Sequence, residues 1–318
     1  MVMAQSLYRL LEQRHAGAVI DVVAPPWSLP VLARMPEVAE AWPLDVAHGE
    51  LGLAKRWRLG RALRARAYTR AIVLPRSWKS ALLPFFAGVP RRTGFRSEFR
   101  YGLLNDLRPL DRQRLDQTVK RFLALGLPPG SALPEAPRPR LAVDPDNQDR
   151  LRQRYGLRPG SIALLPGAAY GPAKRWPAAH FAALAQGLLA DGRQVWLLGS
   201  AAERGLAESI RKAGAGGALN LCGETRLEDA VDLLALAAAV VSNDSGLMHV
   251  AAAAGARVLA IYGSSSPAYT PPLTPRAEIF HLGLECSPCF QRECPLGHLR
   301  CLREIEPQRL LERLRAIG

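Results

Sequence analysis

The chain has 318 residues, 48% of them hydrophobic, and a net charge of +14. That is long for one core, comfortable for two domains, and incompatible with a disordered or collagen-like polymer. The longest apolar run, Leu233 to Val241, is too short to span a bilayer.

No charged n-region followed by an apolar h-region opens the chain, so a cytoplasmic protein is expected. Helix 2–14 leads to strand 19–24, a Pro-rich connection, helix 53–66, strand 71–74 and helix 77–87. Helix 114–125 ends at Gly126, and residues 128–145, with Pro at 128, 129, 134, 137, 139 and 145, read as an interdomain linker. The second half runs strand 162–165, helix 178–190, strand 194–198, helix 203–213 and strand 219–221. It continues with helix 227–237, strand 239–242, helix 246–254, strand 258–262 and helix 307–316. Regular alternation of this kind predicts an α/β fold with parallel sheets covered by helices, in domains 1–145 and 146–318. The first sheet lacks the strand that an alternating domain needs before its first helix. No G-x-G-x-x-G follows the first strand of either half, which argues against a dinucleotide dehydrogenase.

Residues 1–150 hold 24 Lys and Arg against 14 Asp and Glu, and from Lys55 to Arg100 there are 13 basic residues and one acid, Glu98. Such a surface suits an anionic partner. No helix-turn-helix, zinc finger or aromatic-basic pattern supports nucleic acid, leaving a phosphorylated glycolipid at an anionic membrane, or a generically Arg-rich composition.

Two stretches carry chemistry. In the first, Val240-Val241-Ser242-Asn243-Asp244-Ser245-Gly246-Leu247-Met248-His249, a buried strand breaks into a helix start. Free N–H groups at Ser245, Gly246 and Leu247 and the helix dipole make it an anion site, and His249 lies one turn in. An N-cap by Asp244 or Ser245 is the plainer reading. In the second, strand 162–165 opens into Pro166-Gly167-Ala168-Ala169-Tyr170-Gly171-Pro172-Ala173-Lys174-Arg175-Trp176-Pro177. It is a rigid, backbone-exposing loop at a strand's carboxyl end, where open α/β sheets bind ligands, and it places Lys174 to reach a phosphate.

Pro166-Gly167-Ala168, Gly171 to Pro177, and Asn243 to His249 with its D-[ST]-G-x-x-H spacing resemble the ADP-heptose:lipopolysaccharide heptosyltransferases, in their heptosyltransferase II branch. The resemblance runs over essentially the whole chain, including residues 1–11, 90–95 and the cysteine-rich stretch. It implies two Rossmann-like domains in the GT-B arrangement, with the last helix packing back on the first domain. It also implies an inverting glycosyltransferase that needs no metal or other cofactor.

Donor contacts would come from Ala169, Tyr170, Lys174, Glu203, Thr225, Asp244, Ser245, Gly246 and His249, with Lys174 neutralising the departing diphosphate. A Glu at a helix start such as Glu203 also reads as a dipole partner. Acceptor phosphates are assigned, from charge and domain position, to Lys55, Arg56, Arg58, Arg76 and Lys79. The implied partners are ADP-heptose and a heptosyl-Kdo2-lipid A acceptor at the inner face of the inner membrane. Heptosyltransferase I acting on Kdo2-lipid A, a nucleotide-sugar epimerase and a non-catalytic sugar-nucleotide-binding protein are the alternatives. In the family, a strand and turn precede the residues matching 1–7 and end in an aspartate proposed as the general base. That aspartate would fall immediately before Met1, either because the chain starts inside a longer one or because the fold is shortened.

The set Cys286-x2-Cys289-x4-Cys294-x6-Cys301, with His298 inside it, is open to three readings: zinc or an iron–sulfur cluster, packed thiols, or a disulfide. Its spacing is not that of a common zinc ribbon. Cys222 reads as core.

Overall fold

The computed structural model describes every residue except His48, Ala215 and Gly318. It divides into two compact units, one built from Met3–Pro137 and the other from Arg138–Gly318. The boundary falls inside the Pro-rich segment, earlier than residue 145. The stretch after Pro137 is held by the second unit, through Leu141 N–H to Ala253 O (2.9 Å) and Asp144 N–H to Asp232 Oδ1 (2.8 Å).

The first unit holds helices α1 (Gln5–Arg14), α2 (Leu29–Leu32), α3 (Leu53–Leu63), α4 (Leu82–Phe86) and α5 (Thr118–Gly126). Its strands are β1 (Asp21–Ala24), β2 (Glu40–Pro43), β3 (Arg70–Val73), β4 (Arg91–Phe95) and β5 (Asp106–Arg108). All pairings are parallel, yet among the described residues they form two separate sheets, β1-β2 and β3-β4-β5. β1 and β3 each have one edge without a strand partner among the described residues. Strands β2, β4 and β5 were not expected. The charged sequence Arg91-Arg92-Thr93-Gly94 reads as loop, and it is extended because it pairs on both sides and because Arg92 donates to Val89 O and Leu103 O.

The second unit contains α6 (Pro145–Tyr155), α7 (Ala178–Ala190), α8 (Arg204–Lys212), α9 (Leu227–Leu236), α10 (Gly246–Ala253), α11 (Arg300–Arg303) and α12 (Pro307–Ala316). Its strands are β6 (Ile162–Leu165), β7 (Val195–Leu197), β8 (Leu219–Asn220), β9 (Ala239–Asn243), β10 (Val258–Ile261) and β11 (Ala277–Phe280). They form one parallel sheet in the order β11-β10-β9-β6-β7-β8. Strands β6, β9 and β10 are buried at every position, which explains their uninterrupted apolar runs: helices cover both faces. Helix α6, which was not expected, begins at the last residue of the expected linker. Its signals were local, with Asp144 capping Asn147 N–H, Pro145 in the first turn and Gly156 at φ 59° after the last residue.

Helix α12 buries Leu310, Leu311 and Leu314 in the second unit's own core. Arg315 pairs with Asp191 at the end of α7, and Arg313 with Glu278 on β11. Three leucines at helical spacing fit the groove beside α7, where Gly187 lets Leu311 approach.

Candidate functional site

In the second unit's sheet, β6 comes first in chain order and lies between β7 and β9, so the chain reverses its direction of travel across the sheet beside it. Loops leaving β6 and β9 diverge there and open a crevice at the strands' carboxyl ends. The predicted donor residues of both loops come from this place.

Asn243, the last residue of β9 and fully buried, joins the two loops. Its Nδ2 donates to Pro166 O (2.8 Å), and its Oδ1 accepts from Trp176 N–H (2.9 Å). Trp176 in turn donates from Nε1 to Ile305 O (2.8 Å), anchoring the β6 loop in the core. Lys174 is thereby brought to Asp244, with Nζ 2.5 Å from Oδ2; the carboxylate is 6% exposed and the lysine 20%. The lysine expected to meet a phosphate is already paired with a carboxylate, so an incoming anion would share it. Tyr170 lies against the same ammonium, 5.3 Å from ring centre to Nζ, and Arg292 flanks the ring at 5.8 Å.

Helix α10 begins directly after this pair. Ser245 caps it by accepting from Met248 N–H (3.4 Å), so the plain cap reading is correct for Ser245. The cap does not use the first-turn N–H groups of Gly246 and Leu247. A Cβ placed on Gly246 would meet nothing within 4 Å, so the backbone there faces open space. His249, one turn in, has its imidazole pushed down to about 4 by burial, against the pull of Asp244. It is neutral near pH 7.

Glu203 follows β7 and closes a capping box with Ser200, accepting from its N–H (2.7 Å) and its Oγ (2.9 Å). Its carboxylate also lies against the Gly167 backbone, where a Cβ would sit 1.5 Å from Oε1. A side chain there would push the Glu203 carboxylate out of its capping box. Thr225, half-buried, precedes α9 at the same end of the sheet; Ala169 and Tyr170 are exposed on the β6 loop.

Sequence reasoning did not single out Asn243, Arg292, Ser264 or Ser265. Arg292 braces the β6 loop, with its Nε donating to Tyr170 O (2.8 Å) and its carbonyl accepting from Ala173 N–H (3.0 Å). Ser264 and Ser265 follow β10, are buried, and carry hydroxyls with no partner among the described residues. Ser264 N–H donates to Ala173 O (3.3 Å), which places it beside the lysine loop. Two adjacent serines after a buried strand were the available signal.

The five residues assigned to acceptor phosphates separate into different roles. Arg56 is buried, donates from Nε to Leu51 O (2.7 Å), and has its pKa lowered by burial. That corrects its assignment as a surface phosphate ligand, because its guanidinium is used to close the turn before α3. Lys55 and Lys79 gather at Glu50, the first 3.7 Å from its carboxylate and the second 3.0 Å from its carbonyl. Arg58 and Arg76 are exposed. Arg100 is buried as well, holding Phe95 O and Pro75 O and so fixing the loop after β3.

All five cysteines are free thiols. Cys222 is core, with its thiol raised to about 12 by burial. Cys301 is raised to about 11 by burial and by the neighbouring Cys286, Cys294 and Cys289. Backbone N–H groups of Leu299, Leu296, Gly297 and His298 hold the Cys294 thiol below its usual range.

Residues 56–300 match the model of glycosyltransferase family 9 (heptosyltransferase). Lipopolysaccharide heptosyltransferase 2 of Escherichia coli K12 is 45% identical over 100% of this chain and 94% of its own length. Lipooligosaccharide heptosyltransferase 2 of Haemophilus influenzae is 42% identical, over 99% and 94%. The solved structure of E. coli ADP-heptose lps heptosyltransferase II superposes with a TM-score of 0.89 at 43% identity, covering 100% of this chain and 94% of that one. With the crevice, the lysine loop and the α10 start in place, the matched sequence and fold make this chain a member of glycosyltransferase family 9, the heptosyltransferases.

Proposed function

We propose that this protein transfers L-glycero-D-manno-heptose from ADP-heptose to the first heptose of the lipopolysaccharide inner core, as a heptosyltransferase of type II acting with inversion. The observation that carries the donor half is the meeting of Lys174 and Asp244, from two loops, at the crevice beside the open start of α10. The relatives' names carry the choice of sugar and acceptor.

Displacing a nucleoside diphosphate requires that the charge developing on the leaving phosphates be stabilised in place. Lys174 and the Gly246 and Leu247 N–H groups supply that charge, and the unpartnered hydroxyls of Ser264 and Ser265 are further donors beside the same loop. Asp244 and neutral His249 face the donor sugar and phosphates, while Glu203 and Thr225 lie towards the nucleoside. Ala169 and Tyr170 cover the ligand from the β6 loop. The acceptor hydroxyl must also lose a proton, a step assigned to no described residue.

Exposed Lys55, Arg58 and Arg76 and half-buried Lys79 of the first unit attract the acceptor's phosphates and the anionic inner membrane face. No described helix is long and apolar enough to cross a membrane.

The test is transfer from ADP-heptose to purified acceptors followed by mass spectrometry. Addition of one heptose to heptosyl-Kdo2-lipid A and none to Kdo2-lipid A is expected. The opposite preference, or ADP-heptose turnover without transfer, refutes the assignment.

A further inference from the structure

The four clustered cysteines lie outside the transfer chemistry, and they surround a space. A cavity of about 20 Å³ is lined by Cys286, Cys289, Cys294 and Cys301, with Ala173 and Ser264 of the lysine loop and its neighbour on its wall. Cys301 is buried at the start of α11, and the other three are half-buried on the irregular segment before it. The volume suits one ion or one water.

We propose that Cys286, Cys289, Cys294 and Cys301 bind a single tetrahedral transition-metal ion of the zinc class. Four thiols and one divalent ion give a tetrathiolate complex and release four protons to solvent. Among the described residues no group of three or more such side chains stands gathered tightly enough to hold an ion, so the sulfurs turn inward about their Cα–Cβ bonds on binding. Metal–sulfur distances of about 2.3 Å fix the closed site.

The ion's role is to brace the donor loop. Between Cys289 and Cys294 lie the contacts that hold that loop: Phe290 N–H to Ser264 O (2.7 Å), Tyr170 hydroxyl to Phe290 O (2.8 Å), and Arg292 to both Tyr170 and Ala173. Tying Cys289 and Cys294 to one ion closes this span into a short ring whose ends cannot drift apart. The effect on donor affinity rests on the proposed function, whereas the metal site does not.

The experiment uses the full chain, reduced, stripped with chelator and titrated with Co²⁺ in the absence of any nucleotide. Binding of about one Co²⁺ per chain is expected, with thiolate-to-cobalt charge-transfer and tetrahedral ligand-field bands that Zn²⁺ then abolishes. The double variant Cys289→Ser/Cys294→Ser is expected to lose the bands, and Cys222→Ser to keep them. Absence of the bands in the folded wild-type chain overturns the proposal, as does their persistence in the double variant. If the double variant does not fold, the wild-type titration decides alone.

Discussion

Replacing Lys174 by alanine separates the residue's role in binding from its role in the fold. At about 4 Å and an effective dielectric near 20, a lysine and a phosphate charge attract by about 4 kcal/mol. Removing a single electrostatic donor from a transition state typically costs about 2.7 to 4 kcal/mol. Because Lys174 is shared with Asp244 at 2.5 Å, the expected loss is roughly 2 to 4 kcal/mol, or about 30- to 1,000-fold in kcat/KM. The same change strands the Asp244 carboxylate, 6% exposed, without its partner. Breaking a buried pair costs about 3 to 5 kcal/mol, reduced here towards roughly 1 to 3 because the lysine is partly solvated. Adding Asp244→Ala removes the stranded charge. The double variant should therefore regain stability in urea melts while remaining poor in ADP binding and transfer. Calorimetric titration with ADP and initial-rate kinetics supply the other two measurements. Unchanged ADP affinity and turnover in Lys174→Ala would refute the reasoning, and so would recovery of transfer in the double variant.

Two further outcomes follow from the geometry. His249, with its imidazole lowered to about 4 from an ordinary value of 6.5, is neutral in the folded state. Its contribution to stability is complete above pH 6.5 and is lost as pH falls towards 4, since the unfolded chain then binds the proton first. Unfolding free energies from urea melts at pH 7 and 4.5 should differ by about 2 kcal/mol more in the wild type than in His249→Gln, and equal differences would contradict the assigned burial. Arg56→Ala should lower the melting temperature, because Leu51 O loses its buried donor at a cost of about 1 to 3 kcal/mol. Arg58→Ala should leave stability within about 0.5 kcal/mol and raise the KM for the phosphorylated acceptor in a salt-dependent way; the reverse pattern in the two variants would overturn the division of roles.

The second unit was legible because its central strands, β6, β7, β9 and β10, are buried on both faces, whereas the half-exposed edge strand β11 was not expected. Residues 162–165 and helices 178–190 and 307–316 were located to the residue, since continuous apolar runs between helical repeats have few other readings. In the first unit, Arg91–Phe95 and Asp106–Arg108 become strands only through pairing with neighbours distant in sequence, and no local pattern announces that. The site shows the same division. Gly246 and Lys174 declared themselves by residue type and by position after a strand, because helix starts and strand ends bind anions for reasons local to the backbone. That Lys174 is paired with Asp244, that Asn243 ties two loops through buried backbone groups, and that Arg56 is turned inward were settled only by tertiary packing. A sequence fixes which groups carry charge and hydrogen-bonding capacity. Which partner satisfies each one, once water is excluded, is decided by segments tens of residues away.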